Sequence, residues 1–90
     1  MEDIHLYEPV EEIEYHNNGT ISFISTRRQI VKGFEHLYCG TSRTINKDES
    51  QSVRWGTWQK FNKQGEIIWQ LKYNEWGELI EEQSFTKYVS

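Results

Sequence analysis

The sequence predicts an all-β fold, a single antiparallel meander of β-hairpin repeats, and three observations predict it. Aromatic residues are dense, with four Trp, five Tyr and four Phe, while alanine is absent. That balance favours half-buried strands over helices. A short pattern also recurs: an aromatic, Gly four positions later, and an aliphatic two positions beyond, at Tyr15/Gly19/Ile21, Phe61/Gly65/Ile67 and Tyr73/Gly77/Leu79. Finally, Ile67, Trp69, Leu71 and Tyr73 alternate with Ile68, Gln70 and Lys72, the period-2 signature of a strand.

Each recurrence is a turn. Asn suits the first position of a type I turn and Gly the fourth, where the backbone becomes left-handed. That geometry closes a short hairpin with a bulge matched to strand twist, so Gly19, Gly65 and Gly77 are assigned as structural turn residues. Strands are expected at 21–25, 30–38, 53–61, 67–73 and 79–88. The pieces 4–7 and 10–15 add edge strands broken by Pro9, because proline cannot donate to a sheet ladder. A longer register underlies these turns: Tyr15, Tyr38 and Phe61 are spaced by 23, as are Gly33 and Gly56. The middle copy is degraded, with Ser42 where the turn glycine would stand and a polar run over 41–52. One segment has a second reading. Ile30, Val31, Phe34, Leu37 and Tyr38 also fit a helical stripe near 27–39, with Ser25 or Thr26 as N-cap and Gly40 as C-cap. Gly33 would cost that helix about 1 kcal/mol.

The run Gly56-x-Trp58-x-x-Phe61-Asn62-x-x-Gly65-x-Ile67, followed by Tyr73-Asn74-x-x-Gly77-x-Leu79-x-Glu81, resembles the repeat unit of MORN-repeat proteins. It is most similar to the bacterial MORN-variant, YwqK-family antitoxin-like group. The match covers 56–82, with a partial copy at 15–23. The resemblance implies hairpin repeats in an elongated sheet that contacts another protein, and an antitoxin-type role of neutralising a target by binding it.

Ninety residues allow one domain, 1–90, with an acidic segment 1–14 preceding hairpin repeats over about 15–88. The net charge of −4 is unevenly distributed. Residues 1–14 hold six acids and neither Lys nor Arg, whereas 27–63 hold eight bases against Glu35, Asp48 and Glu49. Cys39 is the lone cysteine, so an internal disulfide is excluded. The acidic start lacks the features of a secretory signal, and no apolar run reaches the roughly 18 residues of a membrane helix. A cytoplasmic protein without membrane partners is therefore expected.

Catalysis is not indicated. His5, His16 and His36 lack metal-ligand spacing, and His36 with Cys39 supplies too few ligands for zinc. Adjacent acids such as Glu81 and Glu82 point to opposite faces of a strand and serve better as solvated edge charges. Gly40-Thr41-Ser42 lacks the lysine and glycine spacing of a phosphate loop. No catalytic, cofactor or metal site is assigned, and the expected function is non-enzymatic protein binding. The expected partner is a protein such as a toxin or an enzyme, with homo-oligomerisation the other route to covering surplus aromatics. Trp55 and Trp58 fall on opposite faces of one strand, and Trp76 sits inside a turn. With Arg27, Arg28 and Arg54, these three tryptophans form the candidate partner-binding set. The alternative is a single-stranded nucleic-acid-binding protein using the basic, Trp-rich segment 27–63, where rings stack on bases.

Overall fold

Four hairpin turns of one construction set the architecture. In the computed structural model, which describes residues 5–85, the chain forms β1 (Leu6–Tyr15), β2 (Ile21–Ile30), β3 (Arg43–Ile45), β4 (Gln51–Arg54), β5 (Gly56–Phe61), β6 (Ile67–Tyr73) and β7 (Leu79–Ser84). Gly19, Gly65 and Gly77 adopt φ of +90°, +86° and +80°. Each donates its N–H to the carbonyl three residues earlier, at His16, Asn62 and Asn74. The fourth turn, between β3 and β4, repeats this bond from Glu49 to Asn46, with Glu49 at φ +72°.

Side chains complete the turns in two ways. Asn62 and Asn74 accept from the backbone N–H groups two and four residues on, and their amides donate to Glu66 and Glu78. In the other two turns the acceptor lies one residue before the left-handed position, at Asn18 and Asp48, taking the N–H and hydroxyl of Thr20 and Ser50. Both are the local side-chain bonds that draw Asn and Asp into turns.

All pairings are antiparallel. β2 is central, paired with β1 along one edge and with β4 and β5 in succession along the other. β3 lies outside β4, while β6 and then β7 lie outside β5. Ten residues give β2 a length of about 33 Å. The molecule measures 50 × 25 × 23 Å. Its radius of gyration of 15.1 Å exceeds the ~12 Å of a compact chain this size.

The core is split. Leu6, Ile30, Tyr38 and Val53 form one cluster with Phe34 and Trp55 against it; Trp58, Leu71 and Tyr73 form the other, with Phe23 and Trp69. Successive residues of a strand face opposite ways, and cross-strand partners share a face. Phe23 and Ile30 are seven residues apart on β2, so the two clusters lie on opposite faces of the sheet. The same parity holds for Val53 and Trp58. Between those two, Trp55 and Gly56 separate β4 from β5, with Gly56 at φ +68°.

Several sequence expectations are corrected. Neither the helix near 27–39 nor the strand 30–38 forms. Residues 27–30 continue β2, because both edges of Arg27 and Arg28 find partners in β1 and β4. Gly33 then turns the chain at φ +101°, and two short 3-10 turns follow, Glu35–Leu37 and Gly40–Ser42. Gly33 and Gly56 thus share a positive φ, but the segments after them do not share a conformation. Pro9 does not break the N-terminal strand. It lies within β1, beside a register shift between Leu6 and Pro9, and Arg28 donates to the carbonyls of Tyr7 and Leu6 there. The expected residue 4 and residues 86–88 lie outside the described residues. Strand 53–61 is two strands, and 41–52 contains a hairpin.

The β6–β7 turn is packed in place. Ser42 Oγ donates to the Gly77 carbonyl, and Cys39 N–H donates to that of Trp76. A Cβ on Gly77 would overlap Val53 Cγ2, whereas one on Gly65 would meet nothing within 4 Å. Gly65→Ala is therefore expected to cost about 1–2 kcal/mol for left-handed backbone alone. Gly77→Ala should cost a further ~1–3 kcal/mol from overpacking. Glu49→Gly should gain about 0.5–1 kcal/mol, the relief of left-handed strain less the added freedom of the unfolded chain. Urea unfolding measures all three, and equal losses at Gly65 and Gly77 would contradict the packing of this turn on β4.

Candidate protein-binding surface

Five of the six candidate partner-binding residues meet around the junction of β4 and β5. Trp58 is 4% exposed. Its indole N–H donates to the Thr26 carbonyl at 2.8 Å, which also accepts the Trp55 N–H at 3.0 Å. Phe23 and Tyr73 meet its ring edge-on at 5.6 and 5.7 Å. Arg27 and Arg54 sit over the Trp58 ring at 5.1 and 4.7 Å, and Arg54 donates to the Tyr73 hydroxyl at 2.7 Å. On the other face Arg28 lies 4.6 Å from the half-buried Trp55 ring. These are cation–π pairs within the molecule. The ring surfaces that would stack on a nucleic-acid base are already covered by guanidinium groups.

Trp76 is the sixth, held at the β6–β7 turn and 49% exposed. It belongs to a larger set. Among the described residues, seven apolar side chains are buried, while eleven large ones are at least 36% exposed. Seven of those eleven lie on edge strands: Tyr7, Val10, Ile13 and Tyr15 on β1, Ile45 on β3, and Leu79 and Ile80 on β7. Leu6 is the sole buried residue of β1, and no residue of β7 is buried. An apolar side chain on an edge strand has neighbours on one flank only, so a further strand or a partner surface would cover it.

The acids of β1 and β7 differ in their surroundings. On β7, Glu81 pairs with Lys72 at 3.9 Å and Glu82 accepts from the Trp69 indole at 3.1 Å. On β1, Glu12 pairs with Arg27 at 3.4 Å. Among the described residues no cation lies within 4 Å of Glu8, Glu11 or Glu14.

A shallow cleft of about 330 Å³ lies where β1, the turn after β2 and the β3–β4 turn meet, lined by residues including Tyr7, Lys32, Glu35, Asp48 and Glu49. Its charges are of both signs. Among the described residues, no three His, Cys, Asp or Glu are placed to hold a metal ion. The Cys39 thiol is held below its ordinary pKa by hydrogen bonds from Thr41, and burial raises that of the Tyr38 hydroxyl, partly offset by the charge of Arg28. Among the described residues, no helix is long and apolar enough to cross a membrane.

Sequence reasoning missed the exposed apolar residues of β1 as a group. The signal was present, since proline is tolerated on edge strands; joining 4–7 to 10–15 through Pro9 would have put these residues on one edge.

The Trp58 hub has a direct energetic test. Arg54→Ala removes two ring contacts, over Trp58 and Tyr73, and a hydrogen bond, and should cost about 1–3 kcal/mol. Tyr73→Phe removes only the hydrogen bond and should cost about 1 kcal/mol. Thermal or urea unfolding of both variants checks this, and an unchanged Arg54→Ala midpoint would show that the stacking contributes nothing. Comparison of the chain with protein-family models, with curated proteins and with solved structures finds no match in any of the three.

Proposed function

We propose that this chain is a non-enzymatic protein-binding module, of the kind that an antitoxin, an immunity protein or another small inhibitor represents, acting by occupying its target. The carrying observation is the distribution of apolar surface. More large apolar side chains are exposed than buried, and most of them lie on the edge strands, β1 and β7 above all, and on the Trp76 turn beside β7. Isolated exposed hydrophobics need no explanation, but patches of them mark interaction sites. The repeat resemblance supports the same reading, because hairpin sheets of that type contact other proteins. Arg27, Arg28, Arg54, Trp55 and Trp58 support it indirectly, by fixing the sheet that carries the patches. Trp76 supports it directly, as an exposed aromatic of the kind that anchors interfaces.

The test is to capture partners with the full chain from the cells that produce it, then reconstitute binding from purified components by calorimetry. A stoichiometric protein partner is expected. At least one of Val10→Asp, Ile80→Asp and Trp76→Ala should weaken binding at least tenfold without altering circular dichroism, as expected for truncating a centrally placed contact. A chain that retains nucleic acid in place of protein, or whose affinity is indifferent to all three changes, would overturn the proposal.

A further inference from the structure

Resting on the protein-binding reading, we infer that the outer edge of β1 is the docking site, and that it accepts an extended, Lys/Arg-bearing segment of another protein as an additional strand. β1 is ten residues long and pairs, among the described residues, with β2 alone. Its outward backbone N–H and C=O groups are therefore a template for strand addition. Tyr7, Val10, Ile13 and Tyr15 line this edge, each at least 40% exposed.

Charge identifies the occupant. Glu8, Glu11 and Glu14 have no cation within 4 Å among the described residues, whereas both acids of β7 contact their own sheet. Glu11 pairs with Thr26 and Glu14 with Phe23. These positions are three apart, an odd offset, so the two carboxylates lie on opposite faces, and an incoming strand would meet negative charge on both. A segment with cations on both faces satisfies this edge. A second copy of β1 does not, because like charges would face each other. Nucleic acid is repelled by the same carboxylates. β7 has an open edge too, but it is six residues long and its acids are engaged.

Three decapeptides test this against the full chain: a β-prone Lys/Val/Thr peptide with lysines on both faces, its Lys→Glu counterpart, and a lysine peptide interrupted by prolines. The first should bind with backbone amide chemical-shift changes concentrated on residues 8–15. The acidic and proline-interrupted peptides should each bind at least tenfold more weakly, the first for charge and the second for lost strand pairing. The variant Glu11→Lys/Glu14→Lys, checked for folding by circular dichroism, should reverse the preference between lysine and glutamate peptides. Equal affinities for the three peptides, shifts centred on β7 or elsewhere, or an unreversed preference would overturn the inference. A dimer in light scattering, with concentration-dependent amide shifts confined to β1, would replace the segment with a second copy and overturn it too. A natural partner whose affinity ignores Glu11→Lys/Glu14→Lys would sink this docking site while leaving the protein-binding reading in place.

Discussion

Side chains on a strand alternate between two faces, and this small single sheet has little chain to spare for covering either of them. The fold meets that constraint by covering one face at each end. β2 runs through both halves and is the strand on which the division is visible, since Phe23 and Ile30 belong to different clusters on opposite sides. The 31–42 excursion supplies Phe34 and Tyr38 to one cluster. In the other half, the curl of β5 and β6 brings Trp58, Trp69, Leu71 and Tyr73 together with Phe23.

Such a core contains few residues, so each aromatic carries several contacts. Trp58 shows how: its ring is flanked by two arginines and two aromatic edges, and its N–H is satisfied by a carbonyl of the central strand. The guanidinium groups also replace apolar cover that a short chain does not supply, since arginine can lay its planar head on a ring and keep part of itself in water. Arg27, Arg28 and Arg54 of the middle segment are thereby structural, and the acids on the edges keep the molecule's flanks charged.

The hairpins at Gly19, Gly65 and Gly77 were legible in the sequence because left-handed backbone selects glycine almost uniquely. The fourth turn was not, since Glu49 takes that conformation without the glycine that would announce it. β6 was legible from alternation, and the opposite facing of Trp55 and Trp58 from their odd separation. The segment 30–38 was misread because Ile30, Val31, Phe34, Leu37 and Tyr38 satisfy both strand and helix periods over so short a run. Tertiary pairing decided it, by extending β2 to Ile30 and leaving the remainder as cover. Of the candidate binding residues, Trp76 is on the surface as its turn position suggested. Trp58 and its arginines turned inward, because composition reveals that rings and cations are neighbours in sequence but not that they are neighbours of each other in space.

A well-paired centre and an unpaired flank are two consequences of one arrangement, and native-state amide hydrogen exchange reads both in the free protein. The slowest exchange, limited by global unfolding, is expected in β2 and β5, with outward-pointing amides of β1 exchanging close to the unprotected rate. Strong protection of those β1 amides in the isolated chain would contradict it, because it would mean that the edge is already occupied.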